Sequence, residues 1–229
     1  MARDRQRGAA GTGGGDLSRP GAGEAEPVTR PDELAPRART WPELAAVATR
    51  CVACPELAAA RTQVVVGTWP PGARALLVGE APGAREDETG VPFVGRAGGL
   101  LDELLADAGL PRERVAVANV LKCRPPGNRK PTREEIARCT PWLARQIALV
   151  DPLVVGVLGG TAAAWALGRQ VRIAEARGRV LELAVSDGGT GRPLVVTYHP
   201  AAAARFGRYG GPMAALREDL RLVAELTAR

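Results

Sequence analysis

Four cysteines are the residues whose type and spacing point most directly to chemistry. Cys51 and Cys54 form a Cys-x2-Cys pair, and Cys123 and Cys139 follow much later in the chain. Such a pair on one turn presents two thiolates to one metal centre, and four thiolates form a closed site for either Zn²⁺ or an iron–sulfur cluster. Spacing alone leaves both alternatives open. A thioredoxin-like redox pair is disfavoured, because Cys51 and Cys54 precede the first predicted strand.

A glycine-rich segment carries the second group of candidate residues. Residues 79–98 read GEAPGAREDETGVPFVGRAG, and the glycines and prolines predict a long, shaped loop between a strand and a helix. This segment holds the acids Glu80 and Glu86 and one exposed-looking aromatic residue, Phe93. It ends where a leucine-rich helix begins, so backbone N–H groups at that point could bind a phosphate.

Two further polar residues each end a short apolar segment. These are Asn119 and His199, the single histidine of the chain. Because ligands bind at the carboxyl ends of the strands in parallel sheets, we expect both residues to lie near Glu80 at one edge. A lone histidine is more often structural, but its place at this edge favours a functional role.

The elements that position these residues alternate between strand and helix. The predicted strands are 75–78, 115–119, 153–158, 180–183 and 194–197, and the predicted helices are 41–61, 97–108, 161–167, one after the Thr132–Glu135 capping box and one after Pro212. The alternation predicts an α/β fold with a mostly parallel sheet and helices on both faces.

Composition sets the broad class. The chain has 229 residues, 45% of them hydrophobic, which suffices for one α/β domain. Residues 1–38 are rich in Gly, Arg, Ala and Pro, so we expect a disordered tail followed by one domain at 39–229. The net charge of +6 suits a polyanionic partner without identifying it. No apolar run predicts a membrane span or signal peptide, which favours a cytoplasmic protein and metal-bound cysteines over disulfides.

Three longer motifs, together with the four cysteines, resemble the family-4 uracil-DNA glycosylases. The motifs are the 79–98 segment, NVLKCRPPGNRKP at 119–131 and HPAAAAR at 199–205. The resemblance implies a three-layer αβα fold with a central, mostly parallel sheet of four to five strands. It also implies a [4Fe-4S] cluster held by the four cysteines. The expected activity is hydrolysis of uracil from DNA, which leaves an abasic site, by a monomer associated with the nucleoid.

The resemblance also implies roles for single residues. Glu80 and Glu86 would support the attack of water, Phe93 would stack on the flipped base, Asn119 would read its edge, and His199 would stabilise the leaving base. Gly79 and Ala81 would border the base, and Arg96, Arg205, Lys122 and Arg124 would contact the DNA. The best-known uracil glycosylases have Asp where this chain has Ala81, so a carboxylate role falls to Glu80 or Glu86, which the sequence does not rank.

Several alternatives stay open. The segment 124–131 lacks the inserted histidine-containing loop of relatives that become covalently trapped on DNA, so we expect turnover. The Ala201–Ala204 run departs from the family, which commonly has Ser and larger apolar residues there. A broad-specificity neighbouring family would be expected to lack GEAPG. Rivals from other classes are a non-catalytic iron–sulfur DNA-binding protein and a nucleotide-binding protein that uses Gly159-Gly160-Thr161, although no Walker lysine follows.

Overall fold

A computed structural model of the chain describes residues 26–184, 191–207 and 209–228. Its sheet contains β1 (Ala75–Gly79), β2 (Val115–Asn119), β3 (Val154–Leu158), β4 (Val180–Glu182) and β5 (Pro193–Thr197). The strand order is β2-β1-β3-β5-β4, and only the pairing of β4 with β5 is antiparallel. Every residue of β1, β2 and β3 is buried, as expected for parallel strands covered on both faces.

Helices cover both faces of this sheet. Their bounds are α1 (Pro31–Leu34), α2 (Trp41–Ala48), α3 (Pro55–Ala60), α4 (Ala84–Thr89), α5 (Arg96–Asp107), α6 (Arg133–Val150), α7 (Gly160–Leu167), α8 (Ile173–Ala176), α9 (Pro200–Ala204) and α10 (Gly211–Thr227). The helices α6, α7 and α8 pack on one face, and α5, α9 and α10 pack on the other. This arrangement confirms the predicted three-layer αβα fold. In the part of the chain described, no helix has the length and apolar character needed to span a bilayer.

Local sequence signals explain where α6 begins and where α5 ends. The capping box before α6 is formed as predicted: the Thr132 N–H donates to Glu135 Oε2 at 2.7 Å, and the Glu135 N–H donates to Thr132 Oγ1 at 3.1 Å. In α5 the period of Leu101, Leu104 and Leu105 buries one face. The chain then leaves this helix at Gly109, whose φ of +74° is left-handed.

Two predicted elements have different bounds in the structure. The predicted helix 41–61 is two helices, and Cys51 and Cys54 lie in the connection between them. Pro55 accounts for the break, because the residue before a proline is disfavoured in helical conformation. The 79–98 segment is not wholly irregular, since it contains α4, whose AREDET sequence favours a helix.

The folded part begins earlier than residue 39. Val28 is 2% exposed, and its backbone bonds to Arg50 and Val52 on either side of Cys51. Ala35 is fully buried against the same apolar cluster. The expectation of a disordered tail up to residue 38 is therefore wrong for residues 26–38. The part of that expectation that concerns residues 1–25 lies outside the described residues.

A buried ion pair ties α10 to the segment before β4. Asp219 is 0% exposed and accepts hydrogen bonds from Arg177 Nε and Nη2 and from the Gly178 N–H, at 2.9, 2.9 and 3.0 Å. Glu218 contacts the same guanidinium, but its side chain is 63% exposed. The neighbouring carboxylates thus differ both in burial and in the number of hydrogen bonds they accept.

Replacing these two acids by alanine should give unequal losses of stability. We expect Asp219→Ala to lower the free energy of unfolding by about 3 kcal/mol, because it removes the buried partner of the Arg177 guanidinium and leaves the Gly178 N–H without its acceptor. The matched Glu218→Ala should cost less than about 1 kcal/mol. Urea denaturation of both variants measures the difference. Equal losses would contradict the role given to Asp219.

Candidate active site and metal centre

One large cavity opens at the carboxyl ends of the parallel strands. Its volume is about 950 Å³, and Glu80, Phe93, Asn119 and His199 all line it. The expectation that residues following separate strands meet at one edge is therefore confirmed. Ala81 also lines this cavity, while Gly79 is buried at the end of β1 beside it.

Asn119 offers an unused hydrogen-bond acceptor. The side chain is 2% exposed, and its Oδ1 accepts no hydrogen bond from the residues that the structure describes. Its backbone oxygen accepts a hydrogen bond from Lys122 Nζ at 2.6 Å. Leaving such a buried acceptor unpaired costs about 1–3 kcal/mol, so the geometry calls for a ligand that brings a donor.

Phe93 lies beside Asn119 and is 5% exposed, so the expected exposed aromatic is buried. Its φ of 54° is left-handed, which is unusual for a bulky residue. A Cβ at Gly79 would lie 2.4 Å from Asn119 Oδ1 and 2.5 Å from Phe93 Cζ, and a Cβ at Gly98 would lie 1.8 Å from the Phe93 backbone oxygen. These two glycines therefore provide the space in which the ring reaches the amide.

His199 faces the same space. Its ring stacks on Phe93 with centroids 5.7 Å apart, and its Nδ1 accepts a hydrogen bond from the Ala201 N–H at 3.2 Å. Burial lowers the pKa of His199, although Glu80 and Glu86 partly oppose this shift. The imidazole is therefore neutral near pH 7. Because Nδ1 accepts, the single proton is on Nε2, which makes Nε2 a donor.

The two candidate acids have different surroundings. Glu86 Oε1 accepts backbone hydrogen bonds from Val94 and Gly95, next to Phe93, at 2.9 and 2.8 Å, and its Oε2 accepts one from Gly83 at the start of α4 at 3.1 Å. Glu80 accepts one hydrogen bond through Oε2, from the Thr161 hydroxyl. Within the described ranges its Oε1 has no partner. Glu80 is thus the carboxylate with an oxygen available to the cavity.

The predicted DNA-contacting cations are not equivalent. Arg205 is exposed and lines the cavity, and Arg96 is exposed at the start of α5 beside it. Arg124 donates to Asn128 Oδ1 at 2.8 Å and does not line the cavity. Lys122 is only 1% exposed, and burial lowers its pKa to about 8. Its expected contact with DNA is therefore wrong, because its ammonium group is buried and donates a hydrogen bond to the backbone oxygen of Asn119.

The four cysteines meet at a separate small cavity. Cys51 and Cys54 are half-buried in the connection between α2 and α3, while Cys123 and Cys139 are buried. Burial raises the pKa of Cys123 to about 11 and that of Cys139 to about 12. Arg61 Nη1 and the Lys122 N–H donate to these two sulfurs at 3.1 and 3.3 Å. The thiols therefore need a bound cation to ionise, and N–H donors already surround them.

The arrangement also bears on which metal group fits. In the described part of the chain, no three His, Cys, Asp or Glu side chains are placed to hold a single metal ion. A zinc ion draws four sulfurs to about 2.3 Å from one centre. In an iron–sulfur cluster each cysteine binds a different iron, so the sulfurs stand farther apart. Four cysteines around one cavity supply the thiolates that a [4Fe-4S] cluster takes and that a closed zinc site also takes.

Sequence reasoning assigned no role in this site to Thr161 and Gly98. The sequence places Thr161 only in the weak Gly159-Gly160-Thr161 phosphate motif, yet its hydroxyl donates a hydrogen bond to Glu80. The glycine pattern at 95–99 signalled a loop but not a contact with Phe93, because that contact depends on how α5 packs. No local pattern could have revealed either role.

Comparison with known proteins agrees with this geometry. The model of the uracil DNA glycosylase superfamily matches residues 66–221. The type-4 uracil-DNA glycosylase of Thermotoga maritima is 46% identical over 66% of this chain and 77% of its own, and that of Archaeoglobus fulgidus is 44% identical over 62% and 72%. A type-5 uracil-DNA glycosylase of Mycobacterium tuberculosis is 30% identical over 72% and 67%. The chain therefore belongs to the uracil DNA glycosylase superfamily, and its resemblance to type-4 members is confirmed.

Proposed function

We propose that this protein is a uracil-DNA glycosylase, which flips uracil out of DNA and hydrolyses its N-glycosidic bond. The observation that carries the proposal is the buried Oδ1 of Asn119, which has no hydrogen-bond partner among the described residues and lies in the cavity that Phe93 and His199 also line. Uracil brings an N3–H donor for this oxygen and an O4 acceptor for the amide nitrogen. Cytosine reverses that pattern and would leave buried polar groups unpaired.

Phe93 supplies the apolar contact for the flipped base. A base inside a duplex is out of reach of the cavity, so the nucleotide must leave the stack. Stacking on an aromatic ring recovers about 1–3 kcal/mol per base. The ring is well placed for this because two hydrogen bonds, from the Val94 and Gly95 N–H groups to Glu86, fix its loop before substrate arrives.

His199 stabilises the leaving base. Cleavage of the glycosidic bond leaves negative charge on the uracil ring, part of it on O2. The neutral imidazole holds its proton on Nε2 and can donate it as a hydrogen bond to that oxygen. The bond from the Ala201 N–H to Nδ1 fixes this tautomer, and burial keeps the ring neutral.

Glu80 acts on the sugar side of the bond. The departing base leaves an oxocarbenium-like sugar, which a carboxylate stabilises electrostatically and which water then attacks. The free oxygen of Glu80 can orient that water, while Thr161 fixes the other oxygen. Glu86 is a positioning residue in this proposal, because its oxygens are already occupied by backbone N–H groups.

A [4Fe-4S] cluster bound by Cys51, Cys54, Cys123 and Cys139 completes the proposal. When bound, the cluster supplies structural cross-links and no chemistry on the base. It would join the α2–α3 connection to α6 and to the segment after β2, which also carries Lys122 beneath Asn119. The protein's own residues perform binding, orientation and proton placement.

Contacts to the DNA backbone come from cations around the cavity. Arg96 and Arg205 keep their proposed role, and Lys130 and Arg133 also line the opening without ion pairs to described residues. Their contacts should weaken as salt rises. We further infer a monomer that acts on chromosomal DNA in the cytoplasm.

Uracil release tests the function directly. We expect the cluster-loaded protein to convert a uracil-containing single-stranded oligonucleotide to an abasic product, scored by alkaline cleavage, and to leave the cytosine analogue intact. His199→Ala should slow single-turnover release by about 10²–10³-fold, because one donor to the developing charge is lost. Binding without any abasic product from the unaltered protein would favour the non-catalytic DNA-binding alternative.

The two acids should separate in a paired experiment. Glu80→Gln should lower kcat by about 10²-fold or more with an unchanged unfolding temperature. Glu86→Gln should lower the free energy of unfolding by about 1.5 kcal/mol or more, because its charged hydrogen bonds to the loop weaken, and should raise KM. Thermal unfolding and steady-state kinetics give both readouts. The reverse pattern would exchange the roles of the two residues.

Metal content tests the cysteine site. Anaerobically purified protein should absorb broadly near about 400 nm and contain about four irons per chain. Cys139→Ala should lose colour and iron, whereas Val64→Ala, which alters the same cavity without removing a sulfur, should retain them. Colourless native protein with about one zinc per chain would instead support the zinc alternative.

A further inference from the structure

The cavity is larger than the proposed substrate base requires. Its volume of about 950 Å³ approaches the upper end of the range of about 300–1,000 Å³ for sites that enclose drug-sized ligands. A single uracil ring is much smaller than such ligands. The residues proposed to bind uracil contact one another closely, as the stacking of His199 on Phe93 shows, so they account for only one end of the space.

Helix α7 shows where the remaining space lies. Thr161, in its first turn, contacts Glu80 at the proposed uracil end. Ala164 and Trp165 also line the cavity, and Trp165 is one turn and about 6 Å farther along the helix. There Trp165 Nε1 donates to Thr140 Oγ1 of α6 at 3.2 Å. The cavity therefore extends from the strand ends towards α6.

The walls at that far end are apolar apart from Gln170, which also lines the cavity. Ile136 of α6 and Ile173 of α8 line the cavity there, and both are partly exposed. The indole N–H of Trp165 is already bonded to Thr140 and the residue is 8% exposed, so it contributes a small apolar surface. We call the surface formed by Ile136, Ala164, Trp165 and Ile173 the distal wall.

Positive charge lies next to the distal wall. Arg133 is three residues before Ile136 and thus on the same side of α6. Both Lys130 and Arg133 line the cavity, are exposed and have no carboxylate partner among the residues described. By contrast, the Arg129 guanidinium is held by Glu135 at 2.7 Å and Glu56 at 3.2 Å. An apolar surface beside two available cations matches a base and its phosphate.

We propose that the distal wall binds the base of the nucleotide next to the flipped uracil, with Lys130 and Arg133 contacting the phosphate between the two. This inference rests on the proposed uracil-DNA glycosylase function. It assigns the protein a two-nucleotide site on one strand, in which the neighbour's base is held by apolar contact and any base can occupy the position.

Removing one base from the substrate tests the proposal. Single-stranded oligonucleotides would carry uracil with a tetrahydrofuran abasic analogue on its 5′ side, on its 3′ side or on neither. With the cluster-loaded protein, we expect kcat/KM to fall about fivefold or more for one side only, the lower end of what stacking one base contributes. Ile173→Ala should lower kcat/KM on the intact substrate similarly and should abolish the difference between substrates.

Val171→Ala is the matched control. Val171 packs against the same apolar cluster as Ile173 but does not line the cavity, so this variant should keep the full substrate difference. Thermal unfolding and oligonucleotide binding by fluorescence anisotropy accompany the kinetics. Two results would overturn the proposal. One is an equal kcat/KM of the native protein for all three oligonucleotides, and the other is an Ile173→Ala variant that keeps the native ratio of kcat/KM between the intact and abasic substrates. Absence of uracil release from every oligonucleotide would instead overturn the proposed function.

Discussion

The pairing of β1 with β2 places Gly79 opposite Asn119. The positions of the Asn119 amide and the Phe93 ring in the cavity depend on the space that this glycine leaves. Any side chain at position 79 would overlap both the Asn119 amide and the Phe93 ring. Because parallel register fixes the two strand ends at the same level, the buried amide and the ring meet without long or flexible connections. The His199 ring then completes the wall by stacking on Phe93.

The loop that carries Phe93 is held by charge as well as by shape. Phe93 has a left-handed backbone, which costs of order 1–3 kcal/mol at a non-glycine residue and persists only where surrounding contacts determine it. Glu86 provides such contacts by accepting hydrogen bonds from the backbone N–H groups of Val94 and Gly95. The same carboxylate caps α4 through Gly83. One half-buried acid thus fixes both the position of the ring and the start of the helix before it.

The sequence predicted those features that are determined locally. The period of the leucines in α5, the Thr132 capping box and the meeting of Asn119 with His199 at one sheet edge follow from helix geometry and parallel topology. The burial of Phe93 and Lys122 could not be predicted in this way, since an aromatic in a glycine-rich segment and a lysine in a basic stretch both resemble solvated residues. Their burial depends on contacts between segments distant in sequence.

The contact of Val28 across Cys51 has a consequence for how the chain is shortened in practice. The backbone at Val28 bonds to residues on both sides of Cys51 and so covers this half-exposed cysteine. Composition alone would suggest removing residues 1–38. A chain without them lacks Val28, so the cysteine cavity becomes open to solvent and dissolved oxygen. Since accessible thiolates oxidise most readily, air sensitivity of the protein should depend on where its N-terminus is cut.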